Sequence, residues 1–105
     1  MAPYEGDSSE CVGPVLQTGA VADAVIAAIK QLNAAAVVVD RGAYRRVLVP
    51  RQCLVTRAVM EEHLGRSVHL PGALETVMPA FKGRFTVCED SATWVYEAPQ
   101  DEASD

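Results

Sequence analysis

The strongest constraint on the fold is one amphipathic helical stripe set between two strand-like segments. Beyond Ala20 the apolar residues recur three or four positions apart, as on one face of a helix: they are Val21, Ala24, Val25, Ala28, Ile29 and Leu32. The segment 12–17 before this stripe and the run 36–40 after it are typical of strands. Asn33 is predicted to end the helix in the left-handed conformation. A helix in this setting has to cover a sheet.

The rest of the chain predicts two hairpins and a second helix. Asp40-Arg41-Gly42 provides a turn between strands 36–40 and 43–49, and residues 89–92 provide one between strands 84–88 and 93–97. A strand over 52–55 leads into a helix over 57–64, which has Thr56 as its N-cap and Gly65 after its end. Between 68 and 81, proline and glycine interrupt the pattern, and only 74–78 suggests an edge strand.

This order predicts an α+β fold made of two β-α-β-β units, 12–50 and 52–97. The units form an antiparallel-rich sheet covered by two helices, with a ferredoxin-like resemblance. A length of 105 residues leaves room for one domain. A Gly-rich phosphate loop is absent from the sequence, so a Rossmann or P-loop interpretation is excluded.

The net charge of −5 belongs to the two ends of the chain. Residues 1–11 and 98–105 contain six of the fourteen acids and none of the nine bases. Both tails are expected to be mobile, because they contain too little apolar surface to offset the entropy of ordering. Since the sequence contains neither a signal peptide nor an apolar run of about 20 residues, we expect a cytoplasmic protein with no membrane partner.

The polar residues do not form a recognisable catalytic or metal-binding set. His63 and His69 lie on either side of a helix end, and His63 is predicted to be structural, on the buried stripe of the helix 57–64. On that helix, the side chains of Glu61, Glu62 and His63 point about 100° apart and do not converge. The three cysteines lack metal-ligand spacing. We therefore expect no catalytic residue, no metal site and no cofactor.

Two segments suggest a binding function. Five of the nine bases lie between Arg41 and Arg57, next to Tyr44, and could bind an acidic protein surface or nucleic acid, or be a solvated face. The acidic pI of about 4.9 and the lack of interleaved aromatic residues disfavour nucleic acid, which remains the alternative. The segment 77–83 combines Met78 and Phe81 with proline and glycine, so it either forms a contact surface or fills the core.

Several short motifs, in order, resemble the effector proteins of bacterial multicomponent monooxygenases, also called coupling or regulatory proteins. The resemblance covers about residues 11–97 and is closest to the effectors of toluene monooxygenases. The motifs are Val12-Gly13-Pro14, Val39-Asp40-Arg41-Gly42-Ala43-Tyr44, Leu54-Val55-Thr56-Arg57, Glu61-Glu62-His63-Leu64-Gly65-Arg66 and Ala80-Phe81-Lys82-Gly83-Arg84.

The resemblance implies a protein that is not itself an enzyme and binds no cofactor. It would bind a di-iron hydroxylase, reshape the active site of that enzyme, and couple electron delivery from a Rieske-type ferredoxin and a reductase to oxygen activation. The free protein would be monomeric. The other function classes left open are a nucleic-acid-binding module and a small-molecule-sensing domain. The candidate hydroxylase-binding residues are Val77, Met78, Pro79, Ala80, Phe81, Arg41, Tyr44, Arg45 and Asn33.

Overall fold

A computed structural model describes residues 10–97, which form seven strands and three helices. The predictions for the tails 1–11 and 98–105 fall outside the described residues, apart from Glu10 and Cys11. The strands are β1 (Cys11–Gln17), β2 (Val37–Asp40), β3 (Tyr44–Pro50), β4 (Gln52–Thr56), β5 (Ala80–Lys82), β6 (Arg84–Val87) and β7 (Ser91–Val95). The helices are α1 (Ala20–Leu32), α2 (Arg57–Leu64) and α3 (Gly72–Val77).

The strands form two antiparallel sheets, so the α+β class is confirmed while the single expected sheet is replaced by two. The first sheet has the order β2-β3-β1-β5 and the second has the order β4-β7-β6. Arg51 separates them by taking a φ of 69° between β3 and β4. Its N–H donates to the Glu10 carbonyl (2.9 Å), and its carbonyl accepts from the Tyr96 N–H (2.7 Å). Both backbone groups of Arg51 are therefore satisfied while the chain passes from one sheet to the other.

One apolar core joins both sheets and all three helices. Leu16 and Val47 of the first sheet, Ile29 of α1 and Trp94 of the second sheet are all fully buried in the same cluster. The stripe predicted for α1 is confirmed at its centre, where Ala24, Val25, Ala28 and Ile29 are buried, whereas Val21 is half-buried and Leu32 at the helix end is exposed. Burial of these aliphatic side chains is the main stabilising contribution to the fold.

The predicted ends of α2 are confirmed by their contacts. The Thr56 hydroxyl accepts a hydrogen bond from the Val59 N–H (3.3 Å), and Gly65 ends the helix with a φ of 81°. The prediction that His63 lies on the buried stripe is wrong. The His63 ring is exposed, and its Nε2 lies 2.9 Å from Oε1 of Gln31 on α1, because only Met60 of this short helix is fully directed at the core.

The segment between 68 and 81 differs most from the prediction. The edge strand expected over 74–78 is instead helix α3 followed by the short strand β5, which pairs with β1. Leu74 of this helix is fully buried in the core cluster. A segment of six residues is too short for its periodicity to separate helix from strand.

Two further boundaries are corrected. Asn33 is extended, with a φ of −133°, and not left-handed, because its side chain bonds the backbone of Leu54 on β4 as well as the Ile29 carbonyl of the helix. In the last hairpin β7 begins at Ser91 and not at residue 93, since the Cys88 N–H donates to the Ser91 carbonyl (2.9 Å) and tightens the turn.

Candidate partner-binding surface

The candidate loop 77–81 is divided between the core and the surface. Val77 and Met78 are half-buried and pack against the apolar cluster, whereas Pro79 and Ala80 are exposed. Phe81 is 47% exposed, more than any other described large apolar residue. The most accessible apolar group of this segment is therefore the ring of Phe81 and not the side chain of Met78.

Phe81 is the outer member of a row of three aromatic rings. Its centroid lies 5.2 Å from that of Phe85 on β6, and the Phe85 ring lies stacked 5.1 Å from Trp94, which is fully buried. Tilted and offset ring pairs at this distance are favourable beyond the area they bury. The row fixes an exposed ring against the core, and sequence reasoning missed Phe85 because strand spacing alone does not reveal contacts between two sheets.

Strand alternation divides the candidate residues of the β2-β3 hairpin. On β3, Val47 and Val49 face the core, so Arg45 shares the inner side while Tyr44 and Arg46 face outward. Arg45 Nη1 lies 2.6 Å from Asp23 Oδ1 at the start of α1, and Arg45 Nε lies 3.9 Å from Asp40 Oδ2. Arg45 thus connects the hairpin to α1 within the protein.

Asn33 lies away from this hairpin, against β4 of the second sheet. Its Nδ2 donates to the carbonyls of Ile29 (2.7 Å) and Leu54 (2.8 Å), and its Oδ1 accepts from the Leu54 N–H (3.1 Å). The nine candidate residues therefore do not form one cluster. Arg41, Tyr44 and Ala80 are near the outer side of the first sheet, while the polar atoms of Asn33 are engaged inside the molecule.

The five arginines between 41 and 57 do not form one basic patch. In addition to Arg45, Arg51 Nη1 lies 2.6 Å from Glu10 Oε1, and Arg57 lies 3.5 Å from Asp90 and 3.8 Å from Glu61. Within residues 10–97, Arg41 and Arg46 form no ion pair. The two arginines of this stretch that have no ion pair both lie at the outer side of the first sheet, and this grouping depends on tertiary contacts that the sequence pattern did not reveal.

The described part of the chain does not contain a set of three or more His, Cys, Asp or Glu residues that could hold a metal ion. Burial raises the pKa of the Cys53 thiol to about 12. Cys88 is exposed, and hydrogen bonds from the backbone of Asp90 and from Ser91 lower the pKa of its thiol. Among residues 10–97, none of the helices is long and apolar enough to cross a membrane.

Comparison with known proteins defines the class. The model of the MmoB/DmpM family matches residues 10–95. An effector subunit of the alkene monooxygenase system of Xanthobacter autotrophicus (strain ATCC BAA-1158 / Py2) is 42% identical over 89 residues, which are 83% of this chain and 87% of that protein. The chain is thus a regulatory protein and not an enzyme. It belongs to the MmoB/DmpM family of effectors of multicomponent monooxygenases.

Solved structures agree with this fold. A chain in the structure of a phenol hydroxylase–regulatory protein complex aligns with a TM-score of 0.73 and 18% identity, over 83% of this chain and 98% of that chain. The regulatory protein B of soluble methane monooxygenase aligns with a TM-score of 0.68 and 20% identity, over 91% and 73% of the two chains. The resemblance noted from the sequence motifs is therefore confirmed for both family and fold.

Proposed function

We propose that this protein binds the di-iron hydroxylase of a multicomponent monooxygenase and couples electron delivery to oxygen activation on the substrate. The observation that carries the proposal is the family match over residues 10–95, together with 42% identity to an effector subunit. The complex of a phenol hydroxylase with its regulatory protein supports a hydroxylase as the partner.

Physically, an effector without catalytic groups changes a reaction only by binding one conformation of the hydroxylase more tightly than another. A rigid surface serves this role well, because it retains its own shape while the partner adapts. The exposed ring of Phe81, supported by Phe85 and Trp94, is such a surface. The candidate contact residues are those of the loop 77–81 together with Arg41, Tyr44, Arg45 and Asn33.

The proposal extends to the remaining components and to the substrate. Electrons would come from a reductase through a Rieske-type ferredoxin, in the cytoplasm, and the free effector would be a monomer. The sequence motifs favour a toluene-type aromatic substrate, whereas the 42% identical relative serves a system named for alkenes. Toluene and propene are therefore the two substrates to compare.

Reconstitution tests the function. Purified hydroxylase, ferredoxin and reductase from the same organism are supplied with NADH and either toluene or propene, with and without this protein. The expected result is a saturable rise in product formed per NADH consumed, with tighter coupling on toluene. A product yield that is independent of added protein on both substrates would contradict the proposed function, and tighter coupling on propene would contradict only the substrate assignment.

A further inference from the structure

The outer face of the first sheet is not covered by any described helix. The inner residues of this sheet, such as Val12, Leu16 and Val47, lie in the core cluster together with side chains of α1. The residues that alternate with them point the other way, and they are half-buried without belonging to that cluster. These outward apolar residues are Val15, Val37, Val39 and Leu48.

Strand register brings these side chains together. Arg46 of β3 pairs with Val39 of β2 on one side and with Val15 of β1 on the other, and Leu48 pairs with Val37. Beyond β1, strand β5 places Ala80 opposite Val15 and Lys82 opposite Gly13. A shallow depression of about 270 Å³ crosses the face and is lined by Val39, Arg41, Arg46, Leu48 and Lys82. We call this surface the outer sheet face.

The outer sheet face combines apolar side chains with two arginines, Arg41 and Arg46, that are not paired with a carboxylate of the described residues. Arg41 and Arg46 form no ion pair within residues 10–97, whereas Arg45, Arg51, Arg57 and Arg84 each lie near an aspartate or glutamate. The nearby carboxylate of Asp40 is occupied within its own hairpin, because Oδ1 accepts from the Gly42 N–H at 2.8 Å.

This chemistry fits a protein partner of a particular kind. Arginines next to exposed aliphatic side chains are complementary to carboxylates that surround an apolar patch. The guanidinium group binds a carboxylate through two hydrogen bonds, while the apolar areas exclude water. Nucleic acid fits the outer sheet face less well, because phosphate binding uses a wider array of cations and does not require apolar valine and leucine side chains.

We propose that the outer sheet face is a surface through which this protein docks on the hydroxylase, in addition to the Phe81 ring, and that the hydroxylase meets Arg41 and Arg46 with carboxylates around an apolar patch. This inference rests on the proposed function. It combines Arg46, one of the five bases of the stretch 41–57, with Val39 and Leu48, which are not among the candidate contact residues. It also joins Arg41, Tyr44 and Ala80 into one surface.

Reversal of one charge tests the docking surface. Arg46→Glu is compared with Arg66→Glu, because both arginines are exposed, form no ion pair in the described part of the chain, and undergo the same change of charge. Arg66 lies just after α2 and lines a different depression, next to Val68 and His69. The measurement is the effector concentration that gives half-maximal stimulation of the reconstituted hydroxylase, at low and high salt.

We expect Arg46→Glu to raise this concentration at least tenfold at low salt and less at high salt, while Arg66→Glu stays within twofold of wild type. Arg41→Glu, in the exposed turn, is expected to raise the half-saturating concentration in the same way. It replaces Arg46→Glu in the test if Arg46→Glu has an altered melting temperature. Leu48→Ala tests the apolar part of the outer sheet face and is also expected to raise the half-saturating concentration.

The outcomes separate the two proposals. Equal changes of the half-saturating concentration in Arg46→Glu and Arg66→Glu would overturn the proposed docking surface. Stimulation by the wild type would still support the proposed function in that case. No stimulation by the wild type would defeat the function itself. Binding of a labelled DNA duplex that Arg46→Glu abolishes, with hydroxylase stimulation unchanged, would overturn the protein-docking inference in favour of nucleic acid.

Discussion

The side chain of Asn33 hydrogen-bonds both backbone groups of Leu54, as a neighbouring strand residue would. Its Nδ2 donates to the Leu54 carbonyl at 2.8 Å, and its Oδ1 accepts from the Leu54 N–H at 3.1 Å. Leu54 lies on β4, which is an edge of the second sheet, so these groups have no further strand to pair with on that side. The same amide also caps the Ile29 carbonyl, and thereby connects the end of α1 to the second sheet.

Asn33→Ala is expected to lower the free energy of unfolding by about 2–3 kcal/mol, because the Leu54 N–H and carbonyl are left unsatisfied in a half-buried site. Chemical denaturation measures this. Lys30→Ala, one helical turn earlier and exposed, is the matched control and should change stability by less than about 0.5 kcal/mol. A normal unfolding midpoint for Asn33→Ala together with weakened hydroxylase stimulation would instead assign Asn33 to the interface.

Gly83 permits the close approach of β5 and β6 to β1. It has a φ of +105°, and a Cβ atom at this position would lie 2.7 Å from Cγ1 of Val12, a fully buried side chain. Gly83→Ala is therefore expected to cost about 2–4 kcal/mol through backbone strain and overpacking. Gly72→Ala meets no atom within 4 Å and should leave stability unchanged or slightly higher. Thermal unfolding of the two variants makes the comparison, and equal melting temperatures would contradict the packing argument.

Substitutions of Phe81 and Phe85 should separate an effect on hydroxylase binding from an effect on folding stability. Phe81→Ala removes a half-exposed ring and is expected to cost about 1 kcal/mol of stability, while the half-saturating effector concentration rises about thirtyfold, equivalent to about 2 kcal/mol of binding. Phe85→Ala opens the stack above buried Trp94 and should cost about 3 kcal/mol or more of folding stability. If Phe81→Ala melts normally and saturates the hydroxylase at the wild-type concentration, Phe81 does not contact the partner.

Cys88 should be the reactive thiol of the native protein. It is exposed, and hydrogen bonds from Asp90 and Ser91 lower the pKa of its thiol, whereas Cys11 and Cys53 are buried. Alkylation with iodoacetamide at neutral pH is expected to label Cys88 first, and its rate should reach the thiolate plateau below the pH of an ordinary cysteine. Mass spectrometry after digestion identifies the site. Labelling of Cys53 at a comparable rate would be incompatible with the described packing.

Cys53 should make stability depend on pH in the alkaline range. Burial raises the pKa of its thiol to about 12 in the folded protein, above its value in the unfolded chain. A thiol raised in this way stabilises the folded state below the unfolded pKa, and the contribution is lost as the pH rises toward 12. The stability advantage of wild type over Cys53→Ala is therefore expected to shrink between about pH 9 and pH 12, by at most about 1.4 kcal/mol per pH unit. A difference in urea unfolding midpoint between wild type and Cys53→Ala that stays constant over this pH range would contradict the prediction.

The sequence by itself determined the elements whose signals are local. The stripe of α1, the cap formed by Thr56, the αL glycine at 65 and both hairpins follow from periodicity and turn chemistry within a few residues, and the structure confirms them. The ordered motifs likewise indicated the effector family, which the family match over residues 10–95 confirms.

Only the tertiary structure decided how those elements share two sheets and which side chains they leave exposed. The turn of the chain at Arg51, the helical state of Gly72–Val77 and the pairing of β5 with β1 depend on contacts between residues far apart in sequence. For charge, strand alternation within the sequence already predicts that Arg45 and Arg46 face opposite sides of the sheet. Only the tertiary structure shows that Arg45 meets Asp23 while Arg46 lies on the outer sheet face. Local patterns cannot supply this choice, because it is made by packing free energy summed over the whole core.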